Sequence, residues 1–111
     1  MFEGNQELPR GTLDLMILKV LSLEPMHGWG IIKRIQHLSQ HVFQVNQGSL
    51  YPALQRLKRK GWIRAEWRVT ENSRRARYYT LTDSGKMKLG EARRAWEAST
   101  IAVERILEAT S

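Results

Sequence analysis

The sequence contains no cysteine, which removes a disulfide framework, a thiol nucleophile and any zinc site built on thiolates in one step. Long apolar runs are missing too. The stretch Leu15 to Leu18 is closed at once by Lys19, far short of the roughly 20 apolar residues that cross a bilayer. The opening MFEGNQELPR lacks the basic-then-apolar pattern of a secretory leader, so the expectation is a cytoplasmic chain with no membrane partner. Acidic residues are scattered singly and no nucleophile stands beside a base. Catalysis and a cofactor are therefore not expected. Proline is scarce, with none after Pro52 to stop a helix in the second half.

What remains is a chain of 111 residues with 41% apolar residues, enough for one folded domain with an appended element. Its charge is localised. Arg56, Lys58, Arg59, Lys60, Arg64, Arg68, Arg74, Arg75 and Arg77 face only Glu66 and Glu71 within their own stretch. The rest of the chain balances, so one fifth of the sequence carries the whole net charge of +7. Such a patch is the electrostatic footprint of a polyanion-binding surface, although a basic run is also compatible with a plain solvated face.

Periodicity supplies the elements. TLDLMILKVLSL, from Thr12 to Leu23, is apolar around most of its circumference and predicts a buried helix capped by Thr12. Ile31, Ile32, Ile35 and Leu38 recur at helical spacing from Gly28 to about Gln40. Leu50, Ala53, Leu54 and Leu57 mark the inner face of a third helix, with Ser49 as its candidate cap, Pro52 in its first turn and Gly61 as its left-handed stop. The period then changes to two: Ile63, Ala65, Trp67 and Val69 alternate with charged residues, and RYYTL follows after TENSRRA. This predicts a hairpin with Trp62 and Trp67 in its core and a projecting, mobile tip from Glu71 to Ala76. A last helix runs from about Asp83 to Ala109, roughly 40 Å at 1.5 Å per residue. Its residues Leu89, Ala92, Trp96, Ser99, Val103 and Ile106, widened by Leu107, form a seam suited to a partner helix.

This order predicts a mainly α, α+β fold with a small β-hairpin: a winged helix-turn-helix over 1–81 and a long C-terminal dimerisation helix over 82–111. The third helix would be the recognition helix and the hairpin tip the wing. Gln47, Ser49, Tyr51, Pro52 and Gln55 would then face the major groove of double-stranded DNA. Arg56, Lys58 and Arg59, with Arg74, Arg75 and Arg77 of the wing, suit phosphates or a narrow minor groove.

The run Gly48-Ser49-Leu50-Tyr51-Pro52-Ala53-Leu54-Gln55-Arg56-Leu57, followed by Lys60-Gly61-Trp62-Ile63, resembles the recognition-helix signature of the PadR family of bacterial transcriptional regulators. The likeness extends to Gly11-Thr12-Leu13-Asp14-Leu15, to His27-Gly28-Trp29-Gly30-Ile31 and to the Arg74 to Gly85 stretch. It covers about Pro9 to Gly85, and the single terminal helix is similar to the short branch of that family. Two departures are Lys58, where Glu is common, and Trp29, where Tyr is common.

The resemblance implies a homodimer held mainly by the terminal helix that binds a palindromic operator and represses transcription. It also implies that Trp96 could stack a small aromatic or apolar effector that relieves repression; the plainer account is that Trp96 packs the dimer seam. His37 and His41 are four apart, but they lack a third ligand, so no metal is expected. The alternatives are a winged-helix protein that coats nucleic acid without sequence choice, which needs no seam, and a protein-interaction adaptor, which needs no basic wing.

Overall fold

The structure, a computed structural model, describes residues 10–111. The opening MFEGNQELPR, on which the expectation of no leader rests, therefore lies, apart from Arg10, outside the described residues. Seven elements follow in order: α1 (Arg10–Leu23), β1 (Met26–His27), α2 (Gly28–Leu38), α3 (Gln47–Arg59), β2 (Ile63–Val69), β3 (Arg75–Leu81) and α4 (Asp83–Leu107). The strands form one antiparallel sheet in the order β1-β3-β2. This is the expected α+β winged-helix architecture with its long last helix, enlarged by one short strand.

Helices α1, α2 and α3 surround a core in which Ile17, Leu18, Ile31, Leu50, Leu54, Leu57 and Ile63 are almost fully inaccessible. Burying each such side chain contributes about 1.5–3 kcal/mol, which fixes the three helices against one another. The sheet closes one side of that core through Met26, Ile63, Tyr79 and Leu81. Register explains why the wing is apolar at its root and charged at its tip. Ile63 pairs with Leu81 and Ala65 with Tyr79 on the inner face, and the same face continues as Trp67 opposite Arg77 and Val69 opposite Arg75.

Several local expectations change. Helix α1 starts at Arg10, so Thr12 lies inside its first turn and does not cap it. Helix α3 starts at Gln47 because the Asn46 side chain accepts a hydrogen bond from the Ser49 amide at 2.8 Å. Asn46, not Ser49, is the cap. Pro52 then sits in the second turn and removes the bond to the Gly48 carbonyl, which solvent can satisfy at this exposed edge. Trp67 is 55% exposed and is not hairpin core, since β2 is the sheet edge and no helix underlies its outer half. Trp62 is half-buried against the core, as expected.

Two joints set the directions of the long elements. At the end of α3 the Trp62 amide donates to the Leu57 carbonyl and the Gly61 amide to the Lys58 carbonyl, with Gly61 at φ +78. This left-handed stop turns the chain straight into β2. At the start of α4, Thr82 accepts from the Gly85 amide at 3.0 Å and donates to the Gly61 carbonyl at 2.7 Å. A Cβ on the buried Gly85 would collide with the Trp62 carbonyl, so α4 is seated directly on the α3–β2 turn.

Candidate nucleic-acid interface

The apolar half of α3 is consumed by the core: Leu50, Ala53, Leu54 and Leu57 are buried. Its opposite half presents Gln47, Ser49, Tyr51, Pro52, Gln55 and Arg59 to solvent, with Lys58 half-buried on the flank. These side chains offer amide, hydroxyl, phenol and guanidinium groups, the mixture that reads base edges and grips phosphates. Arg56 is placed differently. Its Nη2 donates to Asp14 of α1 at 2.8 Å, both side chains are about one quarter exposed, and its Nε is buried with no hydrogen-bond partner among the described residues. This guanidinium ties α3 to α1.

Across from α3, the hairpin closes between Val69 and Arg75. Its tip is held by the Thr70 amide donating to the Arg74 carbonyl at 2.6 Å and the Ser73 amide donating to the Thr70 carbonyl at 3.0 Å. The tip is shorter than the expected Glu71 to Ala76, because Arg75 and Ala76 already pair with Val69 and Arg68 in the ladder; Arg74 and Arg75 are exposed and Arg77 is half-buried. Between wing and helix runs a groove of about 420 Å³ lined by Tyr51 of α3, by Arg74, Arg75 and Arg77, and by His27, Trp29 and Asn72. None of the three arginines is in an ion pair among the described residues. The groove therefore carries uncompensated positive charge beside hydrogen-bonding groups.

The root of the groove is tightly built. A Cβ on Gly28 would lie 2.6 Å from the Tyr51 hydroxyl oxygen, so glycine at the start of α2 is what lets the phenol lie against that helix. His27 caps α2 by accepting from the Gly30 amide at 3.0 Å through Nδ1. Its ring also meets Tyr78 edge-on at 5.3 Å. Below it, burial raises the Tyr79 phenol above its ordinary pKa of 10.0, with the nearby Arg77 pulling partly the other way.

Of the seam residues, Leu89 and Ala92 are half-buried, and Leu89 packs against the chain's own core. Trp96 is 49% exposed, and Ser99, Val103, Ile106 and Leu107 are exposed beyond it. One apolar stripe thus starts under α1 and runs off the end of the domain along α4. The molecule is correspondingly elongated, 61 × 31 × 21 Å.

A family model described as "Transcriptional regulator PadR-like family" matches residues 17–91. The chain belongs to the PadR-like family of transcriptional regulators. Among relatives, the transcriptional regulator Rv3488 of Mycobacterium tuberculosis is 37% identical over 92 residues, 83% of this chain and 82% of its own. Among solved structures, a PadR family transcriptional regulator from Eggerthella lenta is similar at a TM-score of 0.77 and 32% identity, covering 91% of this chain and 86% of its own. A transcriptional regulator from Clostridium thermocellum matches at a TM-score of 0.82 and 25% identity, covering 89% of this chain and 96% of its own.

Within this PadR-like fold, Tyr51, Arg74, Arg75 and Arg77 are brought to one groove, while Gln47, Ser49, Pro52, Gln55 and Arg59 continue along the exposed side of α3. His27, Trp29 and Asn72 were not among the expected interface residues. The first two belong to the His27-Gly28-Trp29 run that carries the family likeness, and this was the available signal. Asn72 had none beyond its place in the tip.

Proposed function

We propose that this PadR-like regulator is a homodimeric, sequence-specific repressor that binds a palindromic operator in double-stranded DNA. The observation that carries the reading is the groove: three wing arginines with no ion pair among the described residues line one cleft with Tyr51 of α3. Tyr51 and Gln55, with Gln47 and Ser49 at the helix start and Pro52 against thymine methyls, read base edges. Arg59, Lys58, Arg74, Arg75 and Arg77 hold phosphates, and Arg56 serves indirectly by fixing α3 to α1.

Dimerisation follows from the stripe on α4, with residues 82–111 as the dimerisation helix. From Leu89, which packs on the chain's own core, the stripe continues through Ala92, Trp96, Ser99, Val103, Ile106 and Leu107 as a mostly apolar face that a second copy of the chain covers by symmetry. Two recognition helices then enter major grooves about one helical turn apart, which a palindrome matches. A small aromatic or apolar effector stacked at Trp96 would change their spacing and relieve repression.

Trp96→Arg tests the reading. It places a charge in the seam without touching the groove, so sedimentation should show a monomer and operator affinity should fall at least about 100-fold, because the second half-site no longer assists the first. A monomeric variant that keeps wild-type affinity would favour the coating protein instead.

A further inference from the structure

On the wing, an indole lies exposed where a polar residue would be cheaper. Trp67 sits on the inner face of β2 directly opposite Arg77, and Arg75 follows two residues along the same face. Both guanidinium carbons lie close to the ring, Arg75 at 5.0 Å and Arg77 at 5.4 Å from its centroid. Trp67 itself does not line the groove, whereas both arginines do. The indole therefore stands within cation–π distance of two arginines that line a cleft with no acidic side chain among its described lining residues.

The opposite face of the hairpin shows the contrast. Arg68 lies 5.1 Å from the Tyr78 ring centroid and is also bound by Glu66 through Nε and Nη2 at 3.0 and 2.6 Å. That arginine is neutralised locally. Arg75 and Arg77 lie beside a ring and in no ion pair among the described residues, and an aromatic face can orient a guanidinium while leaving its hydrogen-bonding edge to a ligand.

We propose that Trp67 is a positioning residue for DNA binding, a stacking platform that aims Arg75 and Arg77 at the phosphate backbone before contact. The proposal rests on the DNA-binding reading above. An arginine already confined near its bound geometry loses less side-chain freedom on binding, so the platform raises affinity without adding a contact to DNA. It acts equally on every sequence, because phosphates carry no sequence information.

The test is a double-mutant cycle on the full chain, read by fluorescence anisotropy with a labelled random-sequence duplex of about 30 base pairs at several concentrations of salt near 0.05 M. Trp67→Leu should weaken binding about fivefold to tenfold while leaving the slope of log affinity against log salt unchanged. Trp67→Tyr, which keeps a ring, should bind as wild type does. In the Arg75→Ala/Arg77→Ala background, where the salt slope has already fallen, Trp67→Leu should change nothing beyond about twofold. Wild-type affinity for Trp67→Leu, or an equal loss in both backgrounds, would overturn the platform while leaving DNA binding intact. Absence of binding by the wild-type chain would overturn the DNA reading and the platform together, and the wild-type titration alone distinguishes that case.

Discussion

Tyr51 and Arg74 line the same groove but carry different kinds of information. In the proposed complex a phenol or amide on α3 meets base edges, so Tyr51→Ala and Gln55→Ala should each reduce the preference for operator over random DNA by about 1–3 kcal/mol. Arg74→Ala should weaken both duplexes alike and lower the salt slope by roughly one. Competition binding with the two duplexes separates these outcomes, and equal effects from all three variants would contradict the division. Arg56 makes a different prediction. Its partner Asp14 is about one quarter exposed, so Asp14→Ala leaves a half-buried guanidinium without its carboxylate and should cost about 1–2 kcal/mol in urea unfolding. The sequence located these residues on one face of a helix through the spacing of Leu50, Ala53, Leu54 and Leu57. It could not show that Arg56 is claimed by Asp14, because the two are 42 positions apart and meet only through packing.

Elements with a strong period were legible, and the misplacements trace to signals too short for a period to register. Helix α3 and the β2–β3 hairpin follow from spacings of 3.6 and two. Strand β1 is two residues long and has no period to read. The start of α3 was placed too late because Pro52 suggests a first turn, while the Asn46 carboxamide caps the helix earlier. Trp67 looked like core since it continues the alternation of Ile63 and Ala65, yet the sheet outruns the helices beneath it. The joint between α3, β2 and α4 gives this scale its prediction. Gly85→Ala drives a methyl into the Trp62 carbonyl and should lower unfolding stability by about 1–3 kcal/mol. Because α4 is seated there, the same variant should also weaken operator binding more than random binding. A Gly85→Ala chain with wild-type stability would mean that the joint yields easily and does not fix the angle between α4 and α3.

For the whole molecule, the basic groove and the apolar stripe lie at separate places and are linked through α1. Helix α1 packs against α4 and is tied to α3 by the Asp14–Arg56 pair. In the proposed dimer, a change in how two α4 helices cross would reach both α3 helices through this packed, hydrogen-bonded structure, the kind of linkage that effector control requires. The apolar stripe of α4 was legible from its heptad-like spacing, but its division was not: Leu89 belongs to the chain's own core, and the open part begins near Trp96.

The central claim, sequence-specific binding by a symmetric pair of recognition helices, is tested most directly by footprinting the protein on the DNA upstream of its own gene at about 0.15 M salt, where counterion competition suppresses non-specific contacts. The account predicts one protected inverted repeat overlapping a promoter, with half-site centres about one helical turn, or a multiple of it, apart. Diffuse protection that tracks protein concentration without boundaries would contradict it and identify a coating protein instead.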